Sequence, residues 1–376
     1  MIVSGSGHDI LVVGAGFAGA VLAERLATEC NLRVLVVDRR TTLGGNAHDS
    51  TDASGVLLHR HGPHYFRTGS DRILSYLSRF TEWRRVDFRI LAHAGGRDWS
   101  FPVNLRTYEQ WLGRESSPGE MRQFLERWRR PEGAQNFEEE MTARVGGPFY
   151  NLFFRDYTRK QWGIDPTDLD ASLARRVSVR TDRDERCFTE PFQGLPSEGY
   201  TRMFERMLSD PRITVRLGCG HRDAGAEGIF RHTVFTGAVD EYFGRRFGVL
   251  PYRSLRFEEE TLGKEFFQDA VQVNYPGEEP FTRIVEMKHA TGQSLPVTTI
   301  VREYPQAHAP GREAYYPVPT AEARRQYRLY EELAAAEKGV SFVGRLASYR
   351  YYDMDQVVGM ALSEFENLRM KVGTRP

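Results

Sequence analysis

Apolar residues first gather at Ile10–Val13, a compact run that stops at a glycine and reads as a buried strand. Ala20–Leu26 then carries helix-forming residues, and Arg33–Val37 is a second apolar run ending at Asp38. Strand, tight turn, helix and strand within about 30 residues predict a βαβ unit. Asp71–Phe80 has helical periodicity. Residues 104–161 place apolar positions three and four apart among Glu, Arg, Gln and aromatics. They predict several helices, punctuated at Pro131 and at Gly146-Gly147-Pro148. Residues 163–184 are charged and poorly periodic, as in a mobile connection, and residues 1–9 read as a flexible leader. Residues 213–217 and 232–236 predict strands, and the short alternating runs over 249–304 predict an antiparallel sheet. Thr320–Glu337 predicts a helix, Val340–Val343 a late strand and Asp355–Arg369 a closing helix. This order implies that the two ends of the chain build one nucleotide-binding domain, with insertions between them.

A chain of 376 residues exceeds one ordinary core, so the insertions form further domains. Lysine plus arginine equals aspartate plus glutamate, at 51 each, which argues against a dedicated nucleic-acid binder. Cys30, Cys187 and Cys219 form no CxxC pair, so neither a zinc ribbon nor a redox dithiol is expected, and no metal site. Their small, odd number fits a reducing cytoplasm. The run Ile10–Leu26 lacks a basic leader and is broken by glycines, Glu24 and Arg25, so no membrane partner is expected.

Gly14-Ala15-Gly16-Phe17-Ala18-Gly19 sits between the first strand and the first helix. In this motif the first glycine makes the turn, the second admits a pyrophosphate to the backbone, and the third lets helix and strand pack closely. The helix N-terminus offers free N–H groups to the phosphates. Asp38, at the end of the second strand, is placed to accept from ribose hydroxyls and disfavours a 2′-phosphate. These residues leave NAD and FAD both open. Leu43-Gly44-Gly45-Asn46 then resembles the glycine-pair extension of the glutathione-reductase-like flavoproteins, which bind FAD.

Longer stretches resemble the bacterial UDP-galactopyranose mutase family. They are GAGFAGAVLAERLA from Gly14, LGGNAHD at 43–49, HGPHYF at 61–66, FPVNL at 101–105 and YTRKQWG at 157–163. PFQGLPSEGYTRMFERML at 191–208, EYFGRRFGVLPYRSLRFE at 241–258, TRIVEMKH at 282–289, EAYYPV at 313–318 and GRLASYRYYDMDQV at 344–357 complete the set. They span nearly the whole chain, and YTRKQWG and YYDMDQV are far more specific than the glycine fingerprint. The resemblance implies an α/β fold: a discontinuous Rossmann-like FAD-binding domain with an inserted helical bundle and an antiparallel β-sheet domain. The corresponding ranges are 1–84, 197–245 and 337–376 for the FAD domain, and 104–180 for the helical domain with a mobile loop. The sheet domain takes 85–103, 181–196 and 246–336.

The resemblance further implies FAD that is active when reduced, and pyranose–furanose interconversion of a nucleotide-sugar through a covalent bond between flavin N5 and the anomeric carbon. A homodimer and a separate reductant for the flavin are implied as well. Cofactor contacts are expected from Gly14, Gly16, Phe17, Gly19, Asp38, Arg39, Gly45, Asn46, His64, Arg345, Asp353 and Met354. Arg176 resembles a mobile-loop arginine and Arg283 its fixed partner, both on the diphosphate; a forked, permanently charged guanidinium suits that anion. With His64 and Arg67 they form the expected catalytic set. Phe153, Tyr157 and Thr158 resemble base contacts, Trp162 a residue ordering them, and Tyr315 and Tyr351 diphosphate donors.

Three positions depart from the family pattern. Arg67 replaces a second histidine in Gly62-Pro63-His64-Tyr65-Phe66-Arg67-Thr68. Cys187 replaces an aromatic hydroxyl on the diphosphate, and Phe88 stands where many members carry asparagine. The expectation is a retained mechanism on a sugar other than plain galactose, with Arg67 serving a C2 substituent. Two rival readings are an amine-oxidase-like FAD oxidoreductase and a non-catalytic nucleotide-binding relative.

Overall fold

The computed structural model describes residues 7–130, 132–225 and 229–373. Most of the leader expected over 1–9, and Pro131, lie outside them. The predicted βαβ unit is present: Ile10–Val13, the helix Phe17–Cys30 and Val34–Asp38. The two strands pair in parallel, Val12 opposite Val36. Ile213–Leu217, His232–Phe235 and Val340–Phe342 complete an all-parallel five-stranded sheet with Ile10–Val13 at its centre. Ile10–Val13 and Val34–Val37 are apolar on both faces because both faces are covered, the signature of a parallel sheet. The closing helix, Met354–Val372, packs on Phe17–Cys30 through Val358, Ala361, Leu362 and Phe365. The two ends of the chain thus share one layer.

A seven-stranded sheet contains the long antiparallel partners Tyr252–Leu262 and Thr298–Ala307, then Arg283–Val285, Gln272–Asn274, Ile90–Ala94 and Arg97–Phe101. It is antiparallel except where Gln272–Asn274 runs parallel to Ile90–Ala94. Two segments expected in this domain lie elsewhere. Phe192–Pro196 pairs with Phe66–Thr68 and Trp83–Arg85 in a separate three-stranded sheet. The helix Ala321–Ala336 packs through Ala323 and Tyr330 on Val239, Phe243 and Phe342, against the edge of the parallel sheet. The helix is legible from local pattern, whereas Phe192–Pro196 takes its place through pairing across more than 100 residues.

The helical region holds Leu105–Leu112, Pro118–Glu126 and Phe137–Val145, then a π-helical turn, Tyr150–Phe154, that runs into Arg155–Trp162. Asn104, Ser117 and Asn136 cap the first three, each accepting a backbone N–H three residues on. The charged stretch 163–184 folds as two short 3-10 turns, Pro166–Asp168 and Ala171–Arg176, with irregular chain around them.

Candidate active site

Two adjoining cavities lie where these layers meet. The first, of about 270 Å³, is a groove over the ends of the parallel strands. Gly14, at φ +106°, lies so close to Thr236 that an added Cβ would fall 2.0 Å from its Oγ1. A Cβ on Gly16 would meet nothing nearer than 3.7 Å, so that glycine keeps its face open to the groove. Gly19 does not line the groove; its added Cβ would sit 1.8 Å from the Gly14 carbonyl oxygen, and its role is to let helix meet strand. The first helical turn, Phe17-Ala18-Gly19-Ala20, carries no acid to neutralise the helix's positive end. Asp38 accepts the Ala15 N–H at 2.8 Å and the Arg40 N–H at 2.9 Å, so it holds the glycine turn as well as facing the groove. Phe17, Arg39, Gly45, Asn46, His64, Arg345 and Met354 also line it. Bare backbone N–H groups at a helix start, a carboxylate at the second strand's end and basic side chains beyond are the donor set for a dinucleotide.

The second cavity, of about 340 Å³, is a chamber between the helical region and the seven-stranded sheet. Asn46, His64, Arg345 and Met354 belong to the walls of both cavities. Phe153, Tyr157, Thr158, Trp162, Arg176, Cys187, Arg283, Tyr315 and Tyr351, the candidate substrate contacts, line it together with Arg67. The π-helical turn brings Phe153 inward beside Phe101, with ring centroids 5.7 Å apart. Arg67, Arg176, Arg283 and Arg345 face one lining carboxylate, Asp353. Such a wall selects an anion.

The arginines are held differently. Arg283 is half-buried and donates through Nη2 to Glu303 Oε1 at 2.6 Å; Glu303 is 1% exposed. Desolvation is the largest single influence on Arg283 and disfavours its charge, but Glu303, Tyr157 and Tyr316 together hold its pKa well above the ordinary value. Arg283 Nε and Glu303 Oε2 are buried with no hydrogen-bond partner among the described residues. Arg176 donates to the Tyr351 carbonyl at 2.6 Å and to Asp353, and lies 3.9 Å over the Tyr351 ring. Arg67 donates to Asp353 at 2.8 Å and to Glu190 at 3.1 Å, and lies 4.0 Å over Phe188.

His64 Nδ1 lies 2.8 Å from the Gly62 carbonyl, which can only accept, so Nδ1 carries the proton and Nε2 a lone pair. Burial, reinforced by neighbouring His59, lowers its pKa to about 3 and keeps the ring neutral. Burial also pushes Tyr157 up to about 12 and Cys187 up to about 12, leaving a phenol donor and an inert thiol.

Two expectations change. Asp353 lines the chamber and not the groove. Phe88 is fully buried behind Tyr65, with centroids 4.5 Å apart, and lines neither cavity, so its exchange is a core matter. Tyr315 Oη lies 3.0 Å from His61 Nδ1, both residues lining the chamber, and its neighbour Tyr316 lines the same chamber, packed between Trp162 and Tyr351. Sequence reasoning passed over Tyr316, and also Arg40, whose Nη2 lies 2.8 Å from both Asn46 Oδ1 and Glu313.

Comparison with known proteins agrees with this geometry. The UDP-galactopyranose mutase family model matches residues 152–351, and an NAD(P)-binding Rossmann-like model matches residues 12–80. The chain is 34% identical to the dTDP-fucopyranose mutase of Escherichia coli, over 94% of this chain and 97% of that one. It is also 34% identical to a probable UDP-galactopyranose mutase of Klebsiella pneumoniae, over 98% and 96%. A crystal structure of reduced UDP-galactopyranose mutase shares the fold at TM-score 0.75 and 15% identity, over 97% of this chain and 96% of that one. A putrescine oxidase variant shares it at TM-score 0.62 and 13% identity, over 96% and 99%, which is a likeness of fold alone. The chain belongs to the UDP-galactopyranose mutase family: it is a flavin-dependent sugar mutase, an isomerase, and its cofactor is FAD.

Proposed function

We propose that this chain interconverts the pyranose and furanose forms of a nucleoside-diphosphate sugar, with the base among Phe153, Tyr157 and Thr158 and the diphosphate against Arg176 and Arg283. The sugar then lies at the junction of the two cavities, beside His64 and Arg67. The observation that carries this reading is that the arginine-lined chamber opens onto the dinucleotide groove at Asn46, His64, Arg345 and Met354. Reduced FAD, when bound, supplies the electron-rich nitrogen that attacks the anomeric carbon.

The chain's own residues do the rest. Arg283, fixed against Glu303, stabilises the negative charge that develops on the departing diphosphate. Arg176, on a short turn, adds a second guanidinium from the other side. Tyr157, Tyr316 and Tyr351 offer hydroxyl donors and aromatic walls that exclude water. His64, neutral, accepts a hydrogen bond at Nε2 without repelling the nearby arginines. An amine substrate would leave those arginines without an anion to bind.

Relatives named for a dTDP-sugar and for a UDP-sugar support a nucleotide-linked hexose of the galactose series as substrate. Arg67, longer than the histidine of the pattern and always charged, supports a sugar modified at C2. A homodimer, a cytoplasmic setting and an external reductant for the flavin belong to the same reading. The test is incubation of the dithionite-reduced protein with UDP-galactose, UDP-N-acetylgalactosamine and dTDP-fucose, reading ring forms by NMR. Ring interconversion with no reductant consumed per turnover is expected, most rapid away from plain galactose. Steady oxidation of a substrate, or a colourless protein that cannot take up FAD, overturns the proposal.

A further inference from the structure

Arg67 and Arg176 meet on a single carboxylate. Asp353 Oδ2 accepts from Arg67 Nη2 at 2.8 Å, and Oδ1 accepts from Arg176 Nη2. The two arginines are not equivalent. Arg67 is also tied to Glu190 through Nε at 3.1 Å and lies on the Phe188 ring, so three contacts fix it. Arg176 stands at the end of the short turn Ala171–Arg176, and both its terminal nitrogens are engaged, one by Asp353 and one by the Tyr351 carbonyl. A guanidinium grips a diphosphate through that same fork. Arg176 must therefore release at least Asp353 before it can bind the anion.

Release leaves a carboxylate beside a diphosphate. Its side chain is about a quarter exposed, too little for water to screen it fully. Without a second cation the two anions would repel, and Asp353 would compete with substrate for Arg176. We infer that Arg67 is the standing counter-ion of Asp353, and that it thereby frees Arg176 to pass from the carboxylate to the substrate's diphosphate. Arg67 is then a positioning residue for the anion as well as a neighbour of the sugar, an inference that rests on the nucleotide-sugar reading above.

UDP, which has no sugar, separates the two roles. Binding of UDP to the oxidised holoenzyme is measured by titration calorimetry for wild type, R67H, D353N and the double variant. R67H is expected to weaken UDP about tenfold, because Asp353 then keeps Arg176. In the D353N background the same change is expected to matter less than twofold, since no carboxylate remains to compete. R67K, which keeps the charge and the fold, is expected to fall between. An equal loss in both backgrounds would mean that Arg67 acts only through its field on the phosphates, and overturns the inference. An R67H protein that binds UDP normally but changes its sugar preference overturns it too, in favour of a sugar contact alone. Wild-type protein that binds neither UDP nor dTDP removes the nucleotide-sugar reading itself.

Discussion

The cofactor groove and the substrate chamber touch at four residues yet are built by opposite means. The groove's central stretch is main chain: glycine turns, a helix start and the ends of parallel strands, drawn mostly from residues 13–47 with short returns at 219–221, 235–238 and 344–346. The chamber is made of side chains from widely separated segments, and its charge rests on arginines held by ion pairs. A site made of backbone fails when a methyl group is added. A site made of side chains fails when a partner is removed. Substitutions can break or sharpen that contrast.

The largest effect is expected at the glycines. Gly19→Ala forces a Cβ to within 1.8 Å of the Gly14 carbonyl oxygen, backbone against backbone, so the helix must leave the strand. A loss of about 3 kcal/mol or more in urea unfolding is expected, with protein that purifies without flavin. Gly16→Ala has no such clash, its nearest neighbour being 3.7 Å away. It is expected to unfold like wild type and still bind FAD poorly, because its methyl points into the groove. A yellow, fully stable Gly19→Ala protein would show that helix–strand contact is not what the third glycine secures.

In the chamber the contrast runs between Arg283 and Arg176. Arg283→Ala strands Glu303, a carboxylate 1% exposed, without its cation. Breaking a buried pair this way costs about 3–5 kcal/mol. Stability and turnover are both expected to fall, turnover by about a thousandfold as for loss of a charge-stabilising donor. Arg176→Ala leaves Asp353 still paired with Arg67, so stability should change by less than about 1 kcal/mol, as for a partly exposed pair. Its kcat/KM is nevertheless expected to drop about a hundredfold or more. Equal unfolding curves for the two variants would contradict the distinction between a fixed and a transferable arginine.

The same contrast explains what could be read from the sequence. The groove was legible because its determinants are local. Glycines at fixed offsets, an apolar run on either side and Asp38 nineteen residues after Gly19 lie within one βαβ unit. The chamber was legible only through family resemblance, since no local rule brings Arg67, Arg176, Arg283 and Asp353 to one wall. Where resemblance and geometry parted, the cause was long-range pairing. Phe88 packs beside Tyr65 just ahead of strand Ile90–Ala94, whose parallel pairing with Gln272–Asn274 no hairpin pattern foretells. Phe192–Pro196 is buried throughout but mixes Gln193, Gly194 and Pro196 with its two apolar residues, so its sequence names neither a strand nor a partner sheet.

The smallest expected effect lies on the groove's rim, where side chains do contribute. Glu313 accepts from Arg39 at 2.7 Å and from Arg40 at 2.8 Å, the two residues that follow Asp38. It also stands two residues before Tyr315, on the chain that enters the seven-stranded sheet at Tyr316–Pro317. The pair of bridges thus clasps the parallel sheet's end to the substrate side, across the rim of the groove. Burial works to raise the Glu313 pKa, but Arg40 and Arg39 prevail and hold it below the ordinary value, so the clasp is ionised at neutral pH. Its side chain is 33% exposed, so each bridge is screened and contributes about 0–1 kcal/mol. Glu313→Gln is therefore expected to speed FAD release only about two- to fivefold, followed by recovery of flavin fluorescence. The difference should shrink as ionic strength rises toward about 1 M, where the screening length falls to about 3 Å. If release from wild type and Glu313→Gln shows the same salt dependence, the rim is held by something other than this ion pair, and the groove is a backbone device throughout.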